Sequence, residues 1–121
     1  MPTLSKSPQV DVEFLRALRT NLLAHDVQAR LILFGSRATG KHRYNSDYDV
    51  LILSGIFETM PPDARWMLVQ TKIKPPGFDV VLQPHCYTPL EWQSRVASLL
   101  AREVGEHGIE LTNADARRLE L

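Results

Sequence analysis

The chain has 121 residues, 44% of them hydrophobic and 23% charged, which is the composition of a folded globular chain rather than a disordered one. Its 14 basic and 14 acidic residues cancel, so no global field draws in nucleic acid or an anionic membrane. A lone cysteine, Cys86, cannot form an internal disulfide, and the apolar runs Leu31–Phe34 and Val50–Leu53 are too short to span a bilayer, so a cytoplasmic protein with no membrane segment is expected.

Residues 1–10 carry two prolines and two serines without a period and read as a flexible N-terminal arm; residues 11–121 read as a single domain. From Asp11, a plausible N-cap, the period becomes helical. Phe14, Leu15, Leu18 and Leu22 share a face, and the helix should end near His25-Asp26. Ala29 to Phe34 is short and apolar and reads as a buried strand. Ser36 to Gly40 reads as a short helix or turn, and Lys41 to Ser46 as a polar loop.

Tyr48 to Leu53 is a second strand, with its end buried on both faces. Pro62 can open a helix carrying Ala64, Met67, Leu68 and Thr71, which Lys74-Pro75-Pro76-Gly77 breaks. Phe78 to Leu82 is expected to be a third strand with Asp79 inside it. Thr88-Pro89-Leu90-Glu91 matches a capping box and starts a helix with Trp92, Val96, Leu99 and Leu100 on one face. Gly105 or Gly108 should stop it, and Ile109 to Leu111 is a candidate edge strand. The tail from Asn113 is expected to add a helical turn. The order predicts an α/β (α+β) fold, a small mixed β-sheet with helices packed against it.

The chemistry concentrates in two short segments. Gly35-Ser36 directly follows an apolar strand. Glycine lets the backbone turn sharply and a ligand approach, and a helix starting at Ser36 would point amides at an anion. Asp47 and Asp49, which follow after ten intervening residues, are two apart on a strand and share a face. Two adjacent carboxylates repel, and hard oxygen donors favour magnesium or manganese. One turn would thus hold phosphates while the next strand holds their metal, the division that nucleotidyl transfer requires. Asp79, on a neighbouring strand, is expected to reach the same site, help hold one of two ions and accept the nucleophile's proton. The catalytic reading depends on that convergence.

Arg37, Lys41 and Arg43 could neutralise phosphate charge, Arg37 being the candidate nearest the turn. Solvated side chains are the expectation for all three, because exposed cations are the norm. His42 and His85 are not needed by a metal-activated hydroxyl. Cys86 reads as a small half-buried side chain. The Trp92 stripe reads as core, and Trp66 as a residue for a partner surface.

These segments carry a resemblance. Phe34, Gly35-Ser36, ten residues, then Asp47-Tyr48-Asp49-Val50 is similar to the pattern of the DNA polymerase beta-like nucleotidyltransferase superfamily. The chain looks most like the minimal nucleotidyltransferases, and Phe78-Asp79-Val80-Val81 resembles their third-carboxylate strand. Tyr48 departs from the aliphatic residue usual there. The resemblance implies a nucleotidyltransferase fold, two Mg2+ ions held by Asp47, Asp49 and Asp79, and ATP held at Gly35, Ser36 and Arg37. It also implies AMP transfer to a tyrosine of a HEPN-domain toxin partner, which makes this chain the antitoxin and a component of a hetero-oligomer. Two other readings stay open: a small-molecule nucleotidyltransferase of the aminoglycoside-modifying type, and a non-catalytic antitoxin acting by occlusion.

Overall fold

The computed structural model describes residues 12–40, 47–95 and 97–112. The expected N-terminal arm, the Asp11 cap, the Lys41–Ser46 loop, Val96 and the tail from Asn113 lie outside them. Helix α1 spans Val12–His25 and buries Phe14, Leu15, Leu18 and Leu22, the predicted face. Each such buried side chain contributes about 1.5–3 kcal/mol of transfer free energy. Strand β1 (Arg30–Phe34) follows, then the four-residue helix α2 (Ser36–Thr39) and strand β2 (Tyr48–Leu53). After a 3-10 turn at Gly55–Phe57 come α3 (Pro62–Leu68) and one π-helical turn at Val69–Ile73. Strand β3 (Leu82–Tyr87), helices α4 (Pro89–Gln93) and α5 (Leu99–His107) and the short strand β4 (Ile109–Glu110) complete the order.

The sheet runs β3-β2-β1-β4. β1 is antiparallel to both β2 and β4, whereas β2 and β3 are parallel, so the sheet is mixed as expected. Strand alternation divides the core. Leu31, Leu33, Tyr48, Val50, Ile52 and Leu82 face α1 together with Phe57, Val69 and Ile73. Ile32, Phe34, Leu51 and Leu53 form a second, smaller cluster under Tyr87, Trp92, Leu100 and Val104.

Three sequence expectations are corrected. The third strand is not Phe78–Leu82 but Leu82–Tyr87, and Asp79 lies in the irregular segment before it. Pro84 sits inside this strand, and the strand tolerates it because β3 is an edge. Tyr48 donates to the Val81 carbonyl and Ser54 to the Tyr87 carbonyl, so the alternate residues Leu82, Pro84 and Cys86 turn their backbone outward. Pro84 has no N–H to offer there. Gln70 donates to the Leu82 carbonyl at 2.7 Å and Arg65 to the Cys86 carbonyl at 3.1 Å. A foreign strand would find those acceptors occupied and a donor missing.

The α3 face differs as well. Leu68 packs against the core as expected, but Met67 and Thr71 are exposed, and the buried positions are Arg65, Val69 and Ile73. Arg65 can be buried because each of its three guanidinium nitrogens donates a hydrogen bond. It meets both Glu91 oxygens, at 2.6 and 2.9 Å, and donates to the Met60 carbonyl at 2.8 Å. Glu91 also closes the predicted capping box with Thr88. Finally, the single helix expected after Thr88 is two. Turns at Ser94 and Arg95 end α4, and the Ser98 hydroxyl caps α5 by accepting from the Ala101 amide at 3.0 Å. The restart rotates the face, so Leu99 is 83% exposed while Leu100 packs on the sheet.

The Arg65 guanidinium and the Thr88 amide hold the Glu91 carboxyl down from the usual 4.5 to about 2. A depressed folded pKa gives stability that is present above the unfolded value and lost as pH falls through the folded one. In urea titrations Glu91→Gln should therefore be less stable than the native chain above pH 4.5, with the gap closing as pH approaches about 2. A gap that widens on acidification would contradict the assignment. Arg65→Ala should cost about 2–3 kcal/mol at neutral pH, since it removes a donor from the Met60 and Cys86 carbonyls and the ion-pair partner of Glu91.

Candidate active site

The register of β1 on β2 places Phe34 opposite Asp49. Gly35 is the next residue, and there the chain turns with φ 74° and ψ −156°, a region essentially reserved for glycine. The turn carries the backbone against the Asp49 side chain. A Cβ built on Gly35 would lie 2.7 Å from Asp49 Oδ2 and 3.3 Å from Asp49 Cβ. The glycine is required twice, by conformation and by contact. The Ala38 and Thr39 amides both donate to the Gly35 carbonyl, at 3.1 and 3.2 Å, closing the single turn of α2. Four residues are too few for a substantial helix dipole, so the turn itself rather than a long helix presents Ser36.

Asp47 is exposed just before β2, and Asp49 is half-buried within it. They lie on the second face of the sheet, with Leu51 and Leu53 further along the strand. The apolar cover of Trp92, Leu100 and Val104 lies over that further part. Burial pushes the Asp49 carboxyl above its usual value. The opposing pull of His85 comes next, and Asp47 and Glu103 then add to the rise. His85 comes from β3, where it pairs with Leu51, and its ring packs on Phe34 with centroids 5.2 Å apart. Burial lowers its pKa, against the attraction of Asp49.

Asp79 is exposed. Its neighbour Phe78 is packed on Phe14 with centroids 5.5 Å apart. Because the Tyr48 amide bonds to the Val81 carbonyl, Asp79 and Asp47 both lead into the same end of the sheet. They do not form a three-carboxylate cluster: among the described residues no set of three His, Cys, Asp or Glu side chains is placed to hold one ion. The charges acting on Asp49 come from His85, Asp47 and Glu103, and Asp79 is not among them.

Arg37 is not the solvated side chain expected. It is 4% exposed, with its guanidinium carbon 4.3 Å from the centroid of Tyr48. Tyr48 belongs to the α1-facing cluster, so this stack lies across the strand from Asp49. Lys41, His42 and Arg43 are outside the described residues. Cys86 matches its reading as a half-buried residue: burial pushes the thiol up to about 12, which leaves it protonated and unreactive. Trp66 is 44% exposed. The proximity of His85 and Glu103 to Asp49 was not legible in sequence, because it follows from the parallel register of β3 and the seating of α5.

The donor set fits a hard divalent cation. Two carboxylates share one face, Asp49 is partly desolvated, and the glycine turn keeps the space beside it clear of a side chain. Magnesium ordinarily takes one or two protein carboxylates and fills its shell with water and phosphate. Asp47 and Asp49 are sufficient for that.

A sheet with a Gly-Ser turn over an Asp-x-Asp strand defines a class of protein that handles phosphates beside a carboxylate pair. Residues 13–100 match the nucleotidyltransferase domain, and the chain belongs to that family. A search among curated proteins found no match. Family membership implies a transferase with a nucleoside triphosphate substrate. Among the described residues no helix is long and apolar enough to cross a membrane.

Two outcomes follow from the geometry. Gly35→Ala should lower transfer by roughly 100-fold or more, because strain and collision both displace Asp49; steady-state kinetics with a folded variant measures it. Asp49 has a raised folded pKa, so its ionisation opposes folding above that pKa, and the penalty disappears as pH falls through it. Asp49→Asn should therefore melt a few degrees higher than the native chain at pH 7 in the presence of a chelator while losing transfer. A lower melting temperature would contradict the charge argument.

Proposed function

We propose that this chain is a minimal nucleotidyltransferase that moves AMP from ATP to a tyrosine hydroxyl of a HEPN-domain toxin and acts as its antitoxin. The observation that carries the reading is the Asp49 carboxylate seated against Gly35, with Asp47 on the same face. A bound Mg2+ would supply charge neutralisation at the α-phosphate and the departing pyrophosphate. Asp47 and Asp49 would hold it, and the Gly35-Ser36 turn would seat the triphosphate.

In the proposed step the tyrosine oxygen attacks the α-phosphorus. The new P–O bond forms as the bond from the α-phosphorus to the bridging oxygen breaks, and pyrophosphate leaves with that electron pair. The hydroxyl proton goes to a carboxylate, for which Asp79 is the candidate, since it leads into β3 beside the Asp47 end of β2. Asp79 would act from this rim position rather than as a shared ligand of Asp49. Among the described residues the apolar cover of the second face packs on Leu51 and Leu53 rather than on Asp49, which favours an acceptor that brings its own surface.

The test is transfer of α-labelled ATP, with magnesium, to the protein encoded by the neighbouring gene. Label should appear on a partner tyrosine and should fall by roughly 1,000-fold or more with Asp47→Asn and by about 100-fold with Asp79→Asn. Turnover of small hydroxylated acceptors without a partner would instead identify a small-molecule enzyme. Full neutralisation of the toxin by Asp47→Asn would identify a protein that acts by occlusion.

A further inference from the structure

Helix α2 is a single turn, and its own backbone bonds end at the Gly35 carbonyl. A turn so short does not hold its place on a sheet by hydrogen bonding alone. Arg37 reaches from it to the α1 side of the sheet, where its guanidinium lies 4.3 Å from the Tyr48 centroid. Arg37 is 4% exposed and Tyr48 1%. Tyr48 is fixed in turn by Phe14, with ring centroids 5.4 Å apart. Arg37 immediately follows Ser36, and Tyr48 stands between Asp47 and Asp49. The contact therefore joins the residue after the phosphate turn to the residue inside the carboxylate pair, from the face opposite the site.

We propose that Arg37 is a positioning residue: through Tyr48 it sets the Gly35-Ser36 turn against the Asp47 and Asp49 strand and does not itself touch the nucleotide. The proposal rests on the nucleotidyl-transfer reading of that site. It also gives Tyr48 a reason. An aliphatic residue could fill the same core position, but only an aromatic ring offers a face to a buried guanidinium. Lysine is a poor substitute for Arg37, since its compact ammonium neither stacks nor sheds water as readily.

The test uses the full chain with Arg37→Lys, Tyr48→Leu, Tyr48→Phe and the Arg37→Lys/Tyr48→Leu double variant. Amide hydrogen exchange at Ala38 and Thr39 is measured without nucleotide. Binding of a non-hydrolysable ATP analogue with magnesium is measured by calorimetry, and transfer by steady-state kinetics. Arg37→Lys and Tyr48→Leu should each speed exchange at both amides and lower kcat by about 10- to 100-fold, with little change in KM for ATP. The double variant should be no worse than either single one, and Tyr48→Phe, which keeps the ring face, should retain most activity.

A raised KM and weakened analogue binding in Arg37→Lys alone, with Tyr48→Leu unaffected, would overturn the proposal and make Arg37 a nucleotide contact. Fully additive effects would overturn it as well. If Tyr48→Leu does not fold, unchanged exchange in Arg37→Lys is itself sufficient to reject the clamp. A native chain that neither binds the analogue nor transfers would defeat the nucleotidyl-transfer reading, while the exchange data would still decide whether the stack holds the turn.

Discussion

Antiparallel pairing of β1 with β2 ends with Phe34 opposite Asp49, which brings Gly35, the next residue, onto the Asp49 carboxylate. Most of the site depends on that close approach. It brings the turn and the carboxylate strand within contact distance, and it excludes every side chain at position 35. A shift of one residue in the β1–β2 register would turn Asp49 into the α1-facing core and Tyr48 out of it, so the apolar pattern of both strands enforces the arrangement. Leu31 and Leu33 on one strand and Tyr48, Val50 and Ile52 on the other all join the α1-facing cluster in this register.

The two faces of the sheet do different work. The α1 side is a continuous apolar layer and supplies most of the burial. The other side is covered by α4 and α5 only over Leu51, Leu53 and their neighbours. Where that cover gives way, Asp49 and His85 are half-buried and Asp47 is exposed. The position of the cover depends on Arg65 and Glu91. Their paired contacts tie α3 to α4, and the Arg65 bond to the Cys86 carbonyl ties both to the end of β3. A buried guanidinium is tolerable here because it donates to the Met60 and Cys86 carbonyls and to both oxygens of a carboxylate.

Much of this was legible in the residues. The face of α1, the extent of β2, the Gly35 turn, the capping box at Thr88 and the short strand at Ile109 follow from local patterns, and each is where the pattern places it. The misreadings share a cause. Phe78-Asp79-Val80-Val81-Leu82 is apolar enough to be a strand, but Phe78 is drawn to Phe14 and the ladder begins only at Leu82. Arg37 reads as a surface cation because burial of a guanidinium requires a partner from elsewhere in the chain, and the Tyr48 ring supplies it. Ser98 restarts a helix that hydrophobic spacing alone would have run through.

By itself, then, the sequence determined the chemistry available: a glycine where only glycine fits, a hydroxyl beside it, and two carboxylates that strand alternation must place on one face. That information is local, because backbone conformation and a two-residue period need no distant partner. Tertiary structure decided which groups surround those carboxylates. The parallel register of β3 brought His85 toward Asp49 and left Asp79 at the rim, and the seating of α5 added the charge of Glu103. Such neighbours depend on strand order and helix docking, which are set by the packing of the whole core rather than by any segment within it.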